Sequence, residues 1–202
     1  LIDGGKHSLH KGAAGRKYNE LHSTEELGGN KEVIFFQRYE RGTRTNHVQS
    51  YNRGYNGGAT KDMVEDYLCS DGLPISLSPL YKGDATYEDI FVDRDPRLRQ
   101  SILHPADQSI YRYGNHDFDA NAYPRIQGMS GGLRIYTGYH VIKVYNVSSA
   151  HASYNSSVTP GLSMRYAESL LNYAEAKAEL GNGSISQADL DISINKLRDR
   201  DG

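Results

Sequence analysis

Two stretches of this chain set tyrosines beside amide and guanidinium groups. SYNRGYN carries Tyr51, Asn52, Arg53 and Tyr55, and YRYGNHD carries Tyr111, Arg112, Tyr113 and Asn115. A phenol ring has a flat apolar body and a polar tip, while Asn and Arg side chains bring several N–H donors. That combination matches a sugar, which presents apolar C–H faces and a polar rim. In the second stretch Tyr111 and Tyr113 share a face if the backbone is extended, because side chains alternate along a strand. The chain has 16 tyrosines and no tryptophan, so tyrosine dominates its stacking surfaces. A tyrosine outside such a site simply covers the surface of a loop-rich protein with a small core.

Other residue patterns suggest chemistry and then fall short of it. GMSGG, Gly128 to Gly132, has the G-x-S-x-G form of a nucleophile elbow at Ser130. An elbow needs a strand before the serine and a helix after it, whereas here the strand-like LRIYTGYHVIKVY follows. Its histidine would be His151, in the polar stretch SSAHASYNSS. A flexible glycine turn is the better reading, and serine hydrolase chemistry stays a remote alternative.

DFDAN, Asp117 to Asn121, offers oxygen ligands at alternate positions, so calcium is the one cofactor the sequence suggests. An EF-hand loop from Asp117 would need Gly and Glu where this chain has Ala122 and Gly128. His7 and His10 have the spacing of a metal pair on a helix, but glycines surround them and the other histidines are scattered. No zinc site is predicted, and no phosphate-loop or dinucleotide fingerprint is present.

Composition narrows the classes further. At 202 residues the chain is long enough for one large domain or two small ones. Only 37% of residues are hydrophobic, which predicts a modest core and long surface loops. A formal net charge of -2 argues against a dedicated nucleic-acid binder. No apolar run approaches the roughly 20 residues of a membrane-crossing helix. The single cysteine, Cys69, excludes an internal disulfide and reads as a small core filler. The chain opens on Leu1 and stops at DRDG just past a helix, which reads as a piece of a longer polypeptide.

The elements that must position these residues are few. The first 30 positions are polar and glycine-rich, with a short helix expected around Tyr18 to Leu27. Val33 to Phe36 form an apolar run typical of a buried strand. Thr60 is a good N-cap for a short helix placing Met63, Val64 and Tyr67 on one face. Asp95-Pro96 starts another, running through Leu98 and Ile102. LRIYTGYHVIKVYN alternates well enough for a strand or hairpin.

Two helices around a Gly-Asn-Gly turn close the chain. Ala167, Leu171, Ala174 and Ala178 form a narrow apolar stripe on the first, broadened by Leu170. Gly181 suits a left-handed closing residue. Ser186 with Asp189 resembles a capping box, and Leu190, Ile194 and Leu197 form the second stripe. Such a pair looks like one unit of a helical repeat and needs further helices to cover its outer face.

MRYAESLLNYAEAKAELG followed by INKLRDRDG closely resembles the signature of the SusD/RagB family, nutrient-capture lipoproteins of Bacteroidetes. EVIFFQRYE, ATKDMVEDYLCSDGLPI and DRDPRLRQSIL occur in the family's order, so the resemblance spans roughly Lys31 to Gly202. It implies a mainly α fold with long loops and a few short strands. The closing hairpin would belong to a tetratricopeptide-like scaffold. By this reading residues 1–30 continue a helical region outside the chain, 31–163 are the variable glycan-facing part, and 164–202 are the scaffold hairpin. The resemblance also implies binding rather than catalysis. The ligand would be a poly- or oligosaccharide, and the partner a SusC-like TonB-dependent transporter. The location would be the outer-membrane surface, anchored by a lipid on an N-terminal cysteine that Cys69 cannot replace.

The family motifs are mainly structural: Arg165 is expected to pair with Glu168, and Arg97 with Asp93 or Asp95. A helical-repeat scaffold that binds a protein or peptide is the alternative from another class. The two differ in where exposed aromatic rings sit, in the helix groove or on the tyrosine-rich loops.

Overall fold

The computed structural model describes residues 2, 4–13, 15–49, 58–107, 126, 135–151 and 153–200. The chain divides into two units, one built from 1–38 and 160–202 and the other from 39–159. Its described regular structure is mostly helical, with one two-stranded sheet.

The first unit contains α1 (Lys17–Ser23), β1 (Val33–Gln37), β2 (Gly161–Arg165), α4 (Tyr166–Leu180), α5 (Gln187–Asp191) and α6 (Ile194–Arg198). β1 and β2 pair antiparallel, with Val33 opposite Arg165 and Phe36 opposite Leu162. The Val33–Phe36 run is not buried as its composition suggests: Phe35 is 60% exposed, opposite an exposed Met164. A two-stranded sheet covers one face at most, so alternate side chains remain in water.

Helix α4 buries Tyr166, Ala167, Leu170 and Ala174. The expected stripe holds at Ala167 and Ala174, but Leu170 is buried where Leu171 faces solvent, and Ala178 is only half-buried. Its C-terminus departs from expectation. Gly181 has φ −91, and the left-handed positions are Asn182 and Gly183. Gly181 is required for space, because a Cβ there would sit 2.1 Å from the Ser184 carbonyl oxygen.

The final helix is broken at Ile192 and Ser193 into α5 and α6, both packed against α4. The Ser193 hydroxyl donates back to the Asp189 carbonyl, a bond that bends helices. Ser186 caps α5 as expected, accepting from the Asp189 N–H at 3.1 Å.

The second unit contains α2 (Lys61–Glu65), α3 (Pro96–Ser101) and short 3-10 turns at Asp89–Phe91, Pro105–Asp107 and Ser149–His151. Thr60 Oγ1 accepts from Met63 N at 3.1 Å, and Asp95 caps α3 with Pro96 in its first turn. Ala59, Val64, Ile90, Leu98 and Ile102 form the main core, with Leu103, Ile142 and Tyr145 as a second cluster. Cys69 is buried, as its composition suggests.

The strand expected over 133–146 is absent among the described residues. Ile135 and Val141 make isolated bridges to Ile126 and Ile102 instead. Gly138, with φ 80, turns the backbone away from an extended path between them.

Arg94, which sequence patterning did not single out, organises this unit. Its guanidinium is buried and donates to the carbonyls of Val64 at 2.8 Å and Tyr67 at 2.7 Å, with a longer bond to Ile90. It also lies over the Tyr81 ring. One side chain thereby ties the end of α2 to the Asp89–Phe91 turn. Arg97 pairs with Asp95, one of its two expected partners.

Candidate functional site

Tyr51, Asn52, Arg53, Tyr55, Tyr111, Arg112, Tyr113 and Asn115 all lie outside the described residues. So do Ser130 and the oxygen-rich Asp117 to Asn121 stretch. The structure does define the residues that flank the first cluster. Gln49 is buried and exchanges two bonds with Asn146, donating to its carbonyl at 3.0 Å and accepting from its N–H at 2.9 Å. On the other side, Ala59 N donates to Tyr139 O at 3.0 Å. Before the second cluster, Arg99 holds Asp107 through bonds of 2.7 and 2.8 Å. After it, Ile135 is buried.

Tyrosines within the described residues have divided roles. Tyr87 is structural: its hydroxyl donates to the Leu103 carbonyl at 3.0 Å, its ring packs on Phe91, and burial pushes its phenol pKa up. Tyr145 and Tyr166 are fully enclosed. Tyr136 and Tyr154 are the opposite, 63% and 70% exposed on loops of the second unit.

Tyr154 is not a loose ring. It stacks on His47 with centroids 5.3 Å apart and planes 27° from parallel. It sits in a turn closed by Ser156 N donating to Ser153 O at 3.2 Å, with Asn155 at φ 52. Asparagine is among the few residues that take that left-handed conformation at low cost. Asn46, beside His47, makes a two-bond bridge with Ser157 at 2.8 and 3.0 Å. Its side chain reaches the Thr159 carbonyl at 3.0 Å. The sequence carried a signal for this pair, a lone aromatic among turn-forming residues in HASYNSS. No spacing rule linked it to His47, more than a hundred positions away.

His151 has a defined structural task. It is buried; Arg41 Nη2 lies 3.2 Å from its Nε2, and Ser157 Oγ lies 3.1 Å from its Nδ1. The guanidinium can only donate, which places the ring proton on Nδ1. Arg41 also reaches the carbonyls of Ala150 and Ser156. Both ring nitrogens are thus engaged, Nε2 with Arg41 and Nδ1 with Ser157.

The histidines near the start of the chain are similarly engaged. His7 Nδ1 lies 3.0 Å from the Lys31 carbonyl, and Asn30 donates to His10 Nδ1 at 3.1 Å. Among the described residues no three His, Cys, Asp or Glu side chains group as a metal site. No described helix is long and apolar enough to cross a membrane.

Arg165 does not pair with Glu168. It donates from Nη1 to Glu32 Oε1 at 3.2 Å, and Glu168 is exposed. Glu32, fully buried, also accepts from His10 N at 2.7 Å and from Arg200. Its carbonyl receives the Tyr166 N–H at the start of α4. The motif arginine is thus a structural anchor, with a partner that only the tertiary fold supplies.

The sequence model of the SusD family matches residues 31–202. Among solved structures, the chain is similar to a SusD-like carbohydrate binding protein from Bacteroides fragilis, at 24% identity and a TM-score of 0.70. That match covers 98% of this chain and 38% of the other. A second SusD-like protein from the same organism matches at 24% identity and a TM-score of 0.62, over 97% of this chain and 40% of that one. The chain therefore spans well under half the length of these solved relatives. No curated protein sequence matches it.

Proposed function

The chain belongs to the SusD family, and from that premise we propose that it is part of a surface glycan-binding protein of the outer membrane. It captures poly- or oligosaccharide for import through a partner SusC-like TonB-dependent transporter. The full-length protein is held at the surface by an N-terminal lipid. No bond is made or broken. Stacking and hydrogen bonds give weak affinity for one sugar and useful avidity along a polymer.

The observation that carries this reading is the placement of exposed rings. Tyr136 and Tyr154 stand on loops of the second unit, outside its closed aliphatic core. A solved relative described as carbohydrate binding shares the fold, which supports the ligand class. The rival, a helical scaffold that grips a protein, would place its exposed rings along α4 to α6. There Tyr166 is enclosed, Tyr173 is tied to Asp189, and the exposed apolar side chains are aliphatic. Within the glycan reading, Tyr51, Asn52, Arg53 and Tyr55 with Tyr111, Arg112, Tyr113 and Asn115 remain the proposed contacts of the two loop clusters.

Affinity electrophoresis against plant, host and bacterial polysaccharides tests the proposal. Retardation by one polymer that is lost in Tyr51→Ala or Tyr111→Ala supports it and locates the contact. No retardation of either this chain or the full-length protein rejects it.

A further inference from the structure

We propose that Tyr154, braced by His47, is a separate sugar-stacking platform that takes one pyranose ring on the face turned away from the imidazole. The proposal rests on the glycan reading above and assigns residues outside both tyrosine clusters. Three observations carry it.

The first is exposure together with orientation. Tyr154 is 70% exposed, and its ring stacks on His47 with the two planes 27° apart. With one face occupied by the imidazole, the other is the surface offered to solvent. A pyranose with equatorial hydroxyls presents a continuous patch of C–H bonds. Such a patch suits the electron-rich face of a phenol, and the hydroxyl at the ring edge can bond the sugar's polar rim.

The second is the frame under the platform. The Ser153–Ser156 turn is closed by a backbone bond, and the Ser156 hydroxyl adds a bond of 2.7 Å to the Ser153 carbonyl. Arg41 clamps the same loop through Ala150, Ser156 and His151. On the other side, Asn46 and Gln49 fix the segment that carries His47. A ring already held in place loses little freedom when a ligand lands on it, so more of the contact energy appears as affinity.

The third is that the frame is far more elaborate than an exposed ring needs for its own sake. The buried chain from His151 Nδ1 through Ser157 Oγ to Thr159 Oγ1 joins residues on either side of the turn. Polar groups of this kind are costly to bury unless all are satisfied. What the network secures is the frame on both sides of the Ser153–Ser156 turn, and this turn carries the exposed Tyr154.

Calorimetric titration of the chain with neutral β- and α-linked glucan and xylan hexasaccharides tests the assignment, using Tyr154→Ala, Tyr154→Phe and His47→Ala. Tyr154→Ala is expected to weaken binding about ten-fold, or about 1.4 kcal/mol. Tyr154→Phe keeps the ring and should stay within about two-fold of the original, with His47→Ala between the two. Thermal unfolding serves as the control, because removing an exposed ring leaves the core intact. Unchanged affinity in Tyr154→Ala, with binding lost in Tyr51→Ala or Tyr111→Ala, overturns the platform and leaves the glycan reading standing. Absence of binding to every sugar by the unaltered chain overturns both.

Discussion

Arg200 donates from Nη2 to Oε1 of Glu32 at 2.6 Å across 168 positions of sequence, and both side chains are buried. Arg165 shares the same oxygen, and His10 N occupies the other. A lone buried carboxylate would be expelled by its desolvation cost, but here both oxygens are engaged and the charge is opposed by two guanidinium groups. The cluster joins the start of the chain, the β2–α4 corner and the end of α6. It is the electrostatic centre of the first unit.

Glu32→Ala should therefore destabilise that unit by about 3–5 kcal/mol, since it leaves Arg200 buried without its counter-charge. Arg165→Ala should cost less, because this arginine is partly exposed and water can replace what it loses. Urea denaturation followed by far-UV circular dichroism measures both. Equal losses from the two substitutions would contradict the ranking.

Arg94 does for the second unit what Glu32 does for the first, with carbonyls instead of ions as partners. Arg94→Met keeps much of the volume but removes donors from the Val64, Tyr67 and Ile90 carbonyls. The expected cost is about 3 kcal/mol, set by hydrogen bonds to a charged group. Arg94→Lys should recover only part of it, because one ammonium cannot reproduce the guanidinium fork. The midpoint of thermal unfolding ranks the three proteins.

His104 predicts a pH dependence. Its pKa is lowered by burial first and by Arg99 second, while Asp107 and Glu88 pull weakly the other way. Its Nδ1 accepts from Ala106 N at 3.1 Å, a bond that needs the neutral ring. A pKa below the unfolded value means that the unfolded chain binds the proton first as pH falls. The contribution of His104 is present above about pH 6.5 and is lost as pH drops through its folded pKa. Thermal unfolding between neutral and mildly acidic pH should show this slope, flattened in His104→Asn. An identical slope in the variant would assign the effect elsewhere.

Asp189 shows the corresponding behaviour at lower pH. The Tyr173 hydroxyl first, then Ser186 and Lys177, hold its carboxyl down to about 2. Its folded pKa lies below the unfolded value, so its contribution is present above that value and is lost as pH falls towards about 2. Proton-detected titration of the Asp189 carboxyl should give a midpoint well below that of a free aspartate. Tyr173→Phe should raise it.

The sequence offered chemistry for a candidate site, not its geometry. Tyrosines beside Asn and Arg suggested stacking at Tyr51, Tyr55, Tyr111 and Tyr113, and those positions lie outside the described residues. Tyr154 stands alone among serines and asparagines, without the spacing that marked the others. His47, which orients it, becomes its neighbour only when Asn46 bridges to Ser157. A stacking partner more than a hundred positions away leaves no periodic trace in the chain.

The sequence by itself determined the elements whose signals are local. Thr60, Asp95 and Ser186 cap helices because a side-chain oxygen reaches an N–H two or three residues ahead, a geometry any chain can form without tertiary help. Ala167 and Ala174 of the expected stripe followed from the helical period, with Leu170 rather than Leu171 on the buried side, and the ordered motifs were enough to indicate the family. Tertiary structure decided whatever depended on a distant partner. Arg165 turned from Glu168, one helical turn away, to Glu32, because a buried carboxylate is worth more to a guanidinium than an exposed one. The apolar Val33–Phe36 run became half exposed because, among the described residues, it belongs to a two-stranded sheet that leaves Phe35 in water. The last helix broke at Ser193, whose hydroxyl took the Asp189 carbonyl. Local chemistry fixes the ends of elements, and burial selects which charged and apolar groups meet.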